Sequence, residues 1–119
     1  MIKDSNNLNE ICDTNIRATP LHFACLSNNL PAVKVLCMNN AMVNSADYIG
    51  NTPLFYAVEN DNLEIIKVLD EYGGDANIKN IEGLDPYSIA FYNDKNNAKK
   101  FFLGNINYRM RNYHNNISI

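Results

Sequence analysis

The sequence is short of the features that mark several protein classes. Its 119 residues include three cysteines, Cys12, Cys25 and Cys37, an odd number with no C-x-x-C spacing. This pattern argues against a disulfide-stapled secreted domain and favours a reducing compartment, the cytoplasm or nucleus. No apolar run approaches the ~18–20 residues needed to cross a bilayer. The first seven residues also lack the apolar stretch of a secretory signal.

Positive charge is scarce as well. The formal net charge is -3 and the pI is near 5.2, so no global basic field attracts nucleic acid or anionic lipid. The charge is uneven, because residues 1–93 sum to -7 and residues 94–119 to +4. The C-terminal segment interleaves aromatic and basic side chains: Tyr108, Arg109, Arg111, Tyr113 and His114. We interpret it as a polar tail; an adaptor that contacts nucleic acid through this tail is the alternative.

Residues suited to catalysis or metal binding are few. His22 and His114 are the only histidines, and nucleophilic catalysis needs a serine or cysteine beside a base and an orienting group. The separations between the cysteines and His22 fit none of the close-paired zinc spacings. The pair Gly73-Gly74 follows a predicted helix, whereas a phosphate loop precedes one. The sequence therefore predicts no enzyme, no catalytic residue, no metal and no cofactor, and it disfavours a small-molecule ligand.

The chain does contain a repeat of 33 residues. The hexad Thr-Pro-Leu-His-Phe-Ala at 19–24 recurs as Thr-Pro-Leu-Phe-Tyr-Ala at 52–57 and as Asp-Pro-Tyr-Ser-Ile-Ala at 85–90. In each copy an N-capping residue precedes a proline at the first helical position. The pattern predicts short helices at roughly 20–27, 53–60 and 86–92.

A second helix is predicted after each of the first two short ones. It begins at Pro31 in the first copy and after Asp61 in the second, where Asp61 and Glu64 resemble a capping box. Gly73 and Gly74 end the second of these helices, because glycine tolerates the left-handed conformation there, and Asn39 and Asn40 serve the same purpose in the first. Each unit is thus a helix, a turn, a helix and a projecting hairpin. One unit cannot bury its own apolar faces and must stack on its neighbours.

A 33-residue period that carries Thr-Pro-Leu-His-x-Ala resembles the ankyrin repeat. The resemblance covers residues 16–104 and implies an all-α solenoid of stacked helix-turn-helix units, with projecting β-hairpin or turn fingers and an inner groove lined by the first helices. We predict repeats at 16–48, 49–81 and 82–104, between a partial or capping segment (1–15) and a polar, basic tail (105–119). The residues that match the motif are Thr19, Pro20, Leu21, His22, Gly50, Thr52, Pro53, Leu54, Gly73 and Gly83. The resemblance implies that His22 braces a turn by hydrogen bonding.

Such a chain is expected to bind another protein as a scaffold, an adaptor or an inhibitor. The predicted partner-binding residues at the fingertips are Tyr48, Ile49, Asn51, Ile81, Glu82 and Leu84, and those on the groove side are Glu59, Asn60, Tyr92 and Asn93. Alternatively, Ile81 and Leu84 pack against the adjacent finger. A regulatory piece of a larger enzyme or channel is a further alternative for the whole chain. The partner is not identifiable from the sequence.

Overall fold

The computed structural model describes residues 17–105 and Tyr108, and this part is all-helical. Short helices follow one another in three pairs: α1 Pro20–Leu26, α2 Leu30–Met38, α3 Pro53–Glu59, α4 Leu63–Glu71, α5 Pro86–Tyr92 and α6 Asn96–Gly104. The predicted fold class is confirmed, and the predicted ends of α1, α3 and α5 agree to within one residue. Cys12 and His114, and the segments 1–16 and 109–119, lie outside the described residues.

The helix starts follow from the capping residues. Thr19 and His22 form a complete capping box at α1, and the side chain of Asp85 accepts a hydrogen bond from the backbone N–H of Ser88 at α5. The capping-box interpretation of Asp61 is wrong. Asp61 has φ 52°, in the left-handed region, whereas an N-cap residue is usually extended. Asn62 caps α4 instead, through a 3.1 Å bond from the backbone N–H of Ile65 to its Oδ1.

Asp61 caps a helix of the next unit. Its carboxylate accepts hydrogen bonds from the backbone N–H groups of Asn97 (3.2 Å) and Ala98 (2.9 Å) at the start of α6. The residue that precedes α6, Lys95, makes no side-chain capping bond. Since the first N–H groups of a helix need acceptors from outside it, Asp61 links the second and third units while satisfying α6.

The helices form two rows. The first helices α1, α3 and α5 pack side by side, the second helices α2, α4 and α6 form the other row, and each helix also packs against its partner in the pair. Leu21, Leu54 and Leu69 are buried between the rows, as the repeat pattern requires. Cys25 and Cys37 are buried free thiols, and burial raises the pKa of Cys25 to about 12. These two cysteines therefore serve as small apolar core residues.

An aromatic cluster packs within the third unit, between α5, α6 and Tyr108. The ring of Tyr87 lies 4.9 Å from that of Phe91 and 5.4 Å from that of Phe102, between centroids. Tyr108 packs on Phe102, donates a 3.0 Å hydrogen bond to the carbonyl of Gly74 and is buried. The sequence places Tyr108 in a solvated tail, and the structure corrects this, because a tyrosine can bury its ring where its hydroxyl finds a partner. Within the described residues, no helix has the length and apolar character to cross a membrane.

Candidate functional site: two fingers and a groove

Two turns of the same construction project from the stack. Finger 1 comprises residues 47–51 and finger 2 residues 80–84. In finger 1, Asp47 Oδ1 accepts from the backbone N–H groups of Ile49 (3.1 Å) and Asn51 (2.9 Å). In finger 2, Asn80 Oδ1 accepts in the same way from Glu82 (2.9 Å) and from residue 84 (3.0 Å). Asp and Asn both supply a side-chain oxygen that bonds to backbone N–H groups further along the turn. The conformation of each finger is therefore determined by its own residues.

A glycine completes each turn. Gly50 and Gly83 have φ of +85° and +79°, a region in which other residues are strained. The N–H of each glycine bonds to the carbonyl of the residue three positions earlier. A Cβ atom on Gly50 would lie 2.8 Å from the Cα of Asn80, whereas one on Gly83 would meet nothing within 4 Å. The close approach at Gly50 shows how tightly finger 2 packs against finger 1.

Hydrogen bonds hold finger 1 against its neighbours. The backbone N–H of Thr19 donates to His22 Nδ1 (3.0 Å), so the other ring nitrogen carries the proton and donates to the carbonyl of Asn51 (2.8 Å). Desolvation by burial lowers the pKa of His22, which keeps it neutral in this bridge. The backbone N–H of Ile81 donates to the carbonyl of Ile49 at 3.0 Å. His22 thus braces the turn, as the resemblance implies.

The fingertips leave large apolar side chains in solvent. Tyr48 is 57 % exposed and Ile81 is 74 % exposed, and these residues occupy equivalent positions 33 apart. Glu82 is also exposed, whereas Ile49 and Leu84 are half-buried, and Leu84 packs against the hydrophobic core. The side chain of Leu84 therefore lies partly against the core of the stack, while that of Ile81 stays in solvent.

A groove lies between finger 1 and the first helices. It encloses about 220 Å³ and is lined by Ala18, His22, Phe23, Leu26, Asp47, Tyr48, Ile49 and Tyr56. Phe23 and Leu26 come from α1, and Tyr56 comes from α3. The groove therefore lies where finger 1, α1 and α3 meet.

A comparison with protein-family models bears on this architecture. A model described as ankyrin repeats, in three copies, matches residues 2–80, more than half of the chain. The chain belongs to the ankyrin-repeat family. The match includes finger 1 and the groove, and ankyrin repeats are generally protein-interaction modules without catalytic activity. No curated protein matches the chain.

The ankyrin stack brings the predicted groove-side residues to the C-terminal ends of first helices. Glu59, Asn60, Tyr92 and Asn93 are all exposed, and Tyr92 reaches 72 %. The side-chain amide of Asn60 donates to the carbonyl of Leu26 at 3.0 Å, so it also ties two first helices together. Burial raises the pKa of Glu59, and the charge of Lys95 opposes this shift.

Asn51 lies inside the ankyrin stack and not at the tip of a finger. It is 4 % exposed, and its Oδ1 accepts a 2.9 Å hydrogen bond from the side-chain amide of Asn80. It also accepts from His22 through its backbone carbonyl. The turn reverses direction before residue 51, so the chain has already returned to the stack there. Asn51 is therefore a structural link between the two fingers.

Sequence reasoning missed five groove residues: Ala18, Phe23, Leu26, Asp47 and Tyr56. The 33-residue register held the signal for two of them. Leu26 is equivalent to Glu59 and Tyr92, which were both predicted on the groove side, and Phe23 lies one turn before Leu26 on the same helix. Asp47 and Tyr56 meet only through the folded turn, so spacing alone did not indicate their contact.

The floor of the groove combines a carboxylate with a phenol. The hydroxyl of Tyr56 donates a short hydrogen bond to Asp47 Oδ2. Burial is the main cause that raises the pKa of Tyr56 to about 12, and the hydrogen bond to Asp47 adds to the rise. The phenol therefore stays protonated and remains a donor. Within residues 17–105 and Tyr108, no group of three or more histidine, cysteine, aspartate or glutamate side chains could hold a metal ion.

Proposed function

We propose that this ankyrin-repeat chain binds a partner protein through its fingertips and groove side, and acts by occupying the partner's surface. One observation carries the proposal: Tyr48 and Ile81 expose large apolar side chains at equivalent positions of two adjoining fingers. A row of exposed apolar groups is typical of an interaction surface. Tyrosine is also enriched among the residues that contribute most to binding.

The rigidity of the fingers supports this proposal. Asp47 and Asn80 fold each turn through two side-chain bonds, and the bond between residues 81 and 49 joins the fingers. A surface that is ordered before binding loses less conformational entropy when the partner arrives. The exposed residues at the ends of α3 and α5 extend the surface: Glu59, Asn60, Tyr92 and Asn93. The area that the partner would cover is at most that of a standard interface, roughly 1,600 Å².

The action would be that of a scaffold, an adaptor or an inhibitor, without catalysis by this chain. We place it in the cytoplasm or nucleus, since Cys25 and Cys37 are free thiols in the core.

The test is affinity capture from a native extract followed by mass spectrometry, and then titration of the purified chain with each captured protein. The variant Tyr48→Asp/Ile81→Asp puts two charges at the fingertips. We expect it to lose the captured partner while its helical circular dichroism and melting temperature stay unchanged, because neither side chain is in the core.

A matched control places the same charges on the second-helix row. Met38→Asp/Tyr72→Asp changes two exposed apolar residues of α2 and of the α4 C-cap. We expect this variant to bind as the unmodified chain does. Equal binding by the fingertip variant and the unmodified chain would reject the proposed surface.

A further inference from the structure

Asp47 is a buried carboxylate at the floor of the groove. It is 8 % exposed, and in the described part of the chain its charge faces hydrogen-bond donors but no lysine or arginine. The other buried aspartate of the repeat motif, Asp85, pairs with Lys79 at 3.2 Å. A buried charge is normally paired, so the negative charge at the floor of the groove lacks the compensation that Asp85 has.

The walls around this charge are aromatic and aliphatic. Phe23, Leu26 and Tyr48 are partly exposed, and Ile49 and Tyr56 are half-buried. The aliphatic stem of a lysine or arginine can pack on such walls while its charged end pairs with an anion. Aromatic faces attract a cation as well.

A second negative charge lies close to the groove. Glu59 is one helical turn after Tyr56 on α3, and its charge contributes to the raised pKa of Tyr56. The charge of Lys95 opposes the raised pKa of Glu59, whereas within the described part of the chain no lysine or arginine forms an ion pair with Asp47. The groove therefore combines apolar walls with uncompensated negative potential.

We propose that the groove between finger 1 and α1 binds a lysine or arginine side chain of the partner protein, whose stem packs on Phe23 and Tyr48 and whose cation pairs with Asp47. The inference rests on the proposed function and specifies the partner's chemistry. An ionised carboxylate has about four acceptor positions. Two backbone N–H groups and the Tyr56 hydroxyl occupy three of them, which leaves one for the incoming cation.

The first test compares two probes that differ only in a terminal ammonium group. Nα-acetyl-lysine methylamide and Nα-acetyl-norleucine methylamide share a four-carbon stem, and only the former ends in an ammonium group. In ¹H–¹⁵N correlation spectra of the full chain we expect the lysine probe to shift the amides of Phe23, Tyr48 and Ile49. Its affinity should exceed that of the norleucine probe by about tenfold, and should fall with added salt.

The second test removes the charge and keeps the turn. Asp47→Asn is the matched substitution, because Asn80 already folds finger 2 through the same two backbone bonds. We expect this variant to bind the lysine probe as weakly as the norleucine probe, with the norleucine affinity unchanged. The control is Glu71→Gln, which removes one exposed acid at the end of α4 and should leave both affinities as they were.

Several outcomes would overturn the inference. They are equal binding of the two probes, shifts confined to residues outside the groove, and full lysine affinity in Asp47→Asn. If the amide signal of Tyr48 shifts as the chain dimerises, with no probe present, then a second copy of the chain occupies the groove and the inference fails. The probe comparison on the unmodified chain needs no variant, so it decides the matter even where Asp47→Asn fails to fold. A partner lost by Tyr48→Asp/Ile81→Asp but kept by Asp47→Asn rejects the cation site and leaves the proposed function standing.

Discussion

Thr19 and Thr52 occupy the same position of two successive repeats, yet their hydroxyls have different surroundings. Thr19 Oγ1 accepts from the backbone N–H of His22 and lies 2.9 Å from that residue's Nδ1. Thr52 is 1 % exposed, and among the residues that the structure describes its Oγ1 has no hydrogen-bond partner. Phe55 stands in the second repeat where His22 stands in the first, so Thr52 Oγ1 has no ring nitrogen beside it. The backbone N–H of Phe55 also bonds to the carbonyl of Thr52 and not to its hydroxyl.

Replacement of each threonine by valine isolates this difference, because valine has nearly the same shape and fits the extended backbone of both caps (ψ 168° and 165°). Thr19→Val removes an N-capping interaction and should cost about 1–2 kcal/mol of unfolding free energy. Thr52→Val removes a buried hydroxyl that lacks a partner, and should be neutral or stabilising by up to about 1 kcal/mol. The two variants should therefore differ by about 2 kcal/mol.

The assay is urea denaturation followed by circular dichroism at 222 nm, with thermal melts as a second measurement. For a domain of this size, about 1 kcal/mol corresponds to a shift of roughly 4–8 °C in Tm. The slope of free energy against urea should be the same in both variants, since neither changes the buried surface appreciably. Equal destabilisation by the two substitutions would refute the reasoning, because the hydroxyl of Thr52 would then contribute what that of Thr19 contributes.

Three further predictions can be tested by denaturation. Gly50→Ala should lower the free energy of unfolding more than Gly83→Ala does. Both substitutions carry the cost of a positive φ, about 1–2 kcal/mol, but only Gly50 lies against the backbone of the next finger. Equal destabilisation by the two substitutions would contradict this close approach. Asp61→Ala should cost about 1 kcal/mol through the uncapped start of α6, and no loss would mean that water replaces the carboxylate. Burial lowers the pKa of His22 from 6.5, so the unfolded chain binds the proton more readily than the folded chain does. Stability should be full well above pH 6.5 and fall as the pH drops through 6.5 towards the lower pKa of the folded state. His22→Phe should remove this pH dependence of stability, and His114→Gln should retain it. A pH dependence that persists in His22→Phe would show that another group causes it.

The sequence predicts most of this fold because its strongest signals are local. A proline at the first helical position and a capping residue before it specify where α1, α3 and α5 begin. The 33-residue register then requires that Leu21 and Leu54 be buried together, since a lone helical hairpin cannot cover its apolar face. The two errors in the fold, at Asp61 and Tyr108, both concern side chains that act on a different unit of the stack. Such contacts have no local pattern.

The site was less predictable for the same reason. The tips of the fingers follow from turn chemistry, so the exposure of Tyr48 and Ile81 could be anticipated from the sequence. Asn51 is only three residues after Tyr48, but whether it lies at the tip or in the stack depends on where the turn closes. That closure is set by the bond between the backbone N–H of Asp47 and the carbonyl of Asn51, at 2.9 Å. The groove is made by contacts between units, which periodicity alone does not describe.

The repeat also distinguishes residues that build the stack from those available for binding. Where the backbone requires a particular chemistry, the units agree: residues 47 and 80 both supply a turn-closing oxygen, and residues 50 and 83 are both glycine. Where side chains are exposed at the ends of the first helices, the units differ, with leucine at 26, glutamate at 59 and tyrosine at 92. An identical backbone thus presents an apolar end, an acidic end and an aromatic end in one row. We propose that a partner contacting the whole row is equally uneven along its length, so that the row selects the direction in which the partner lies as well as its chemistry.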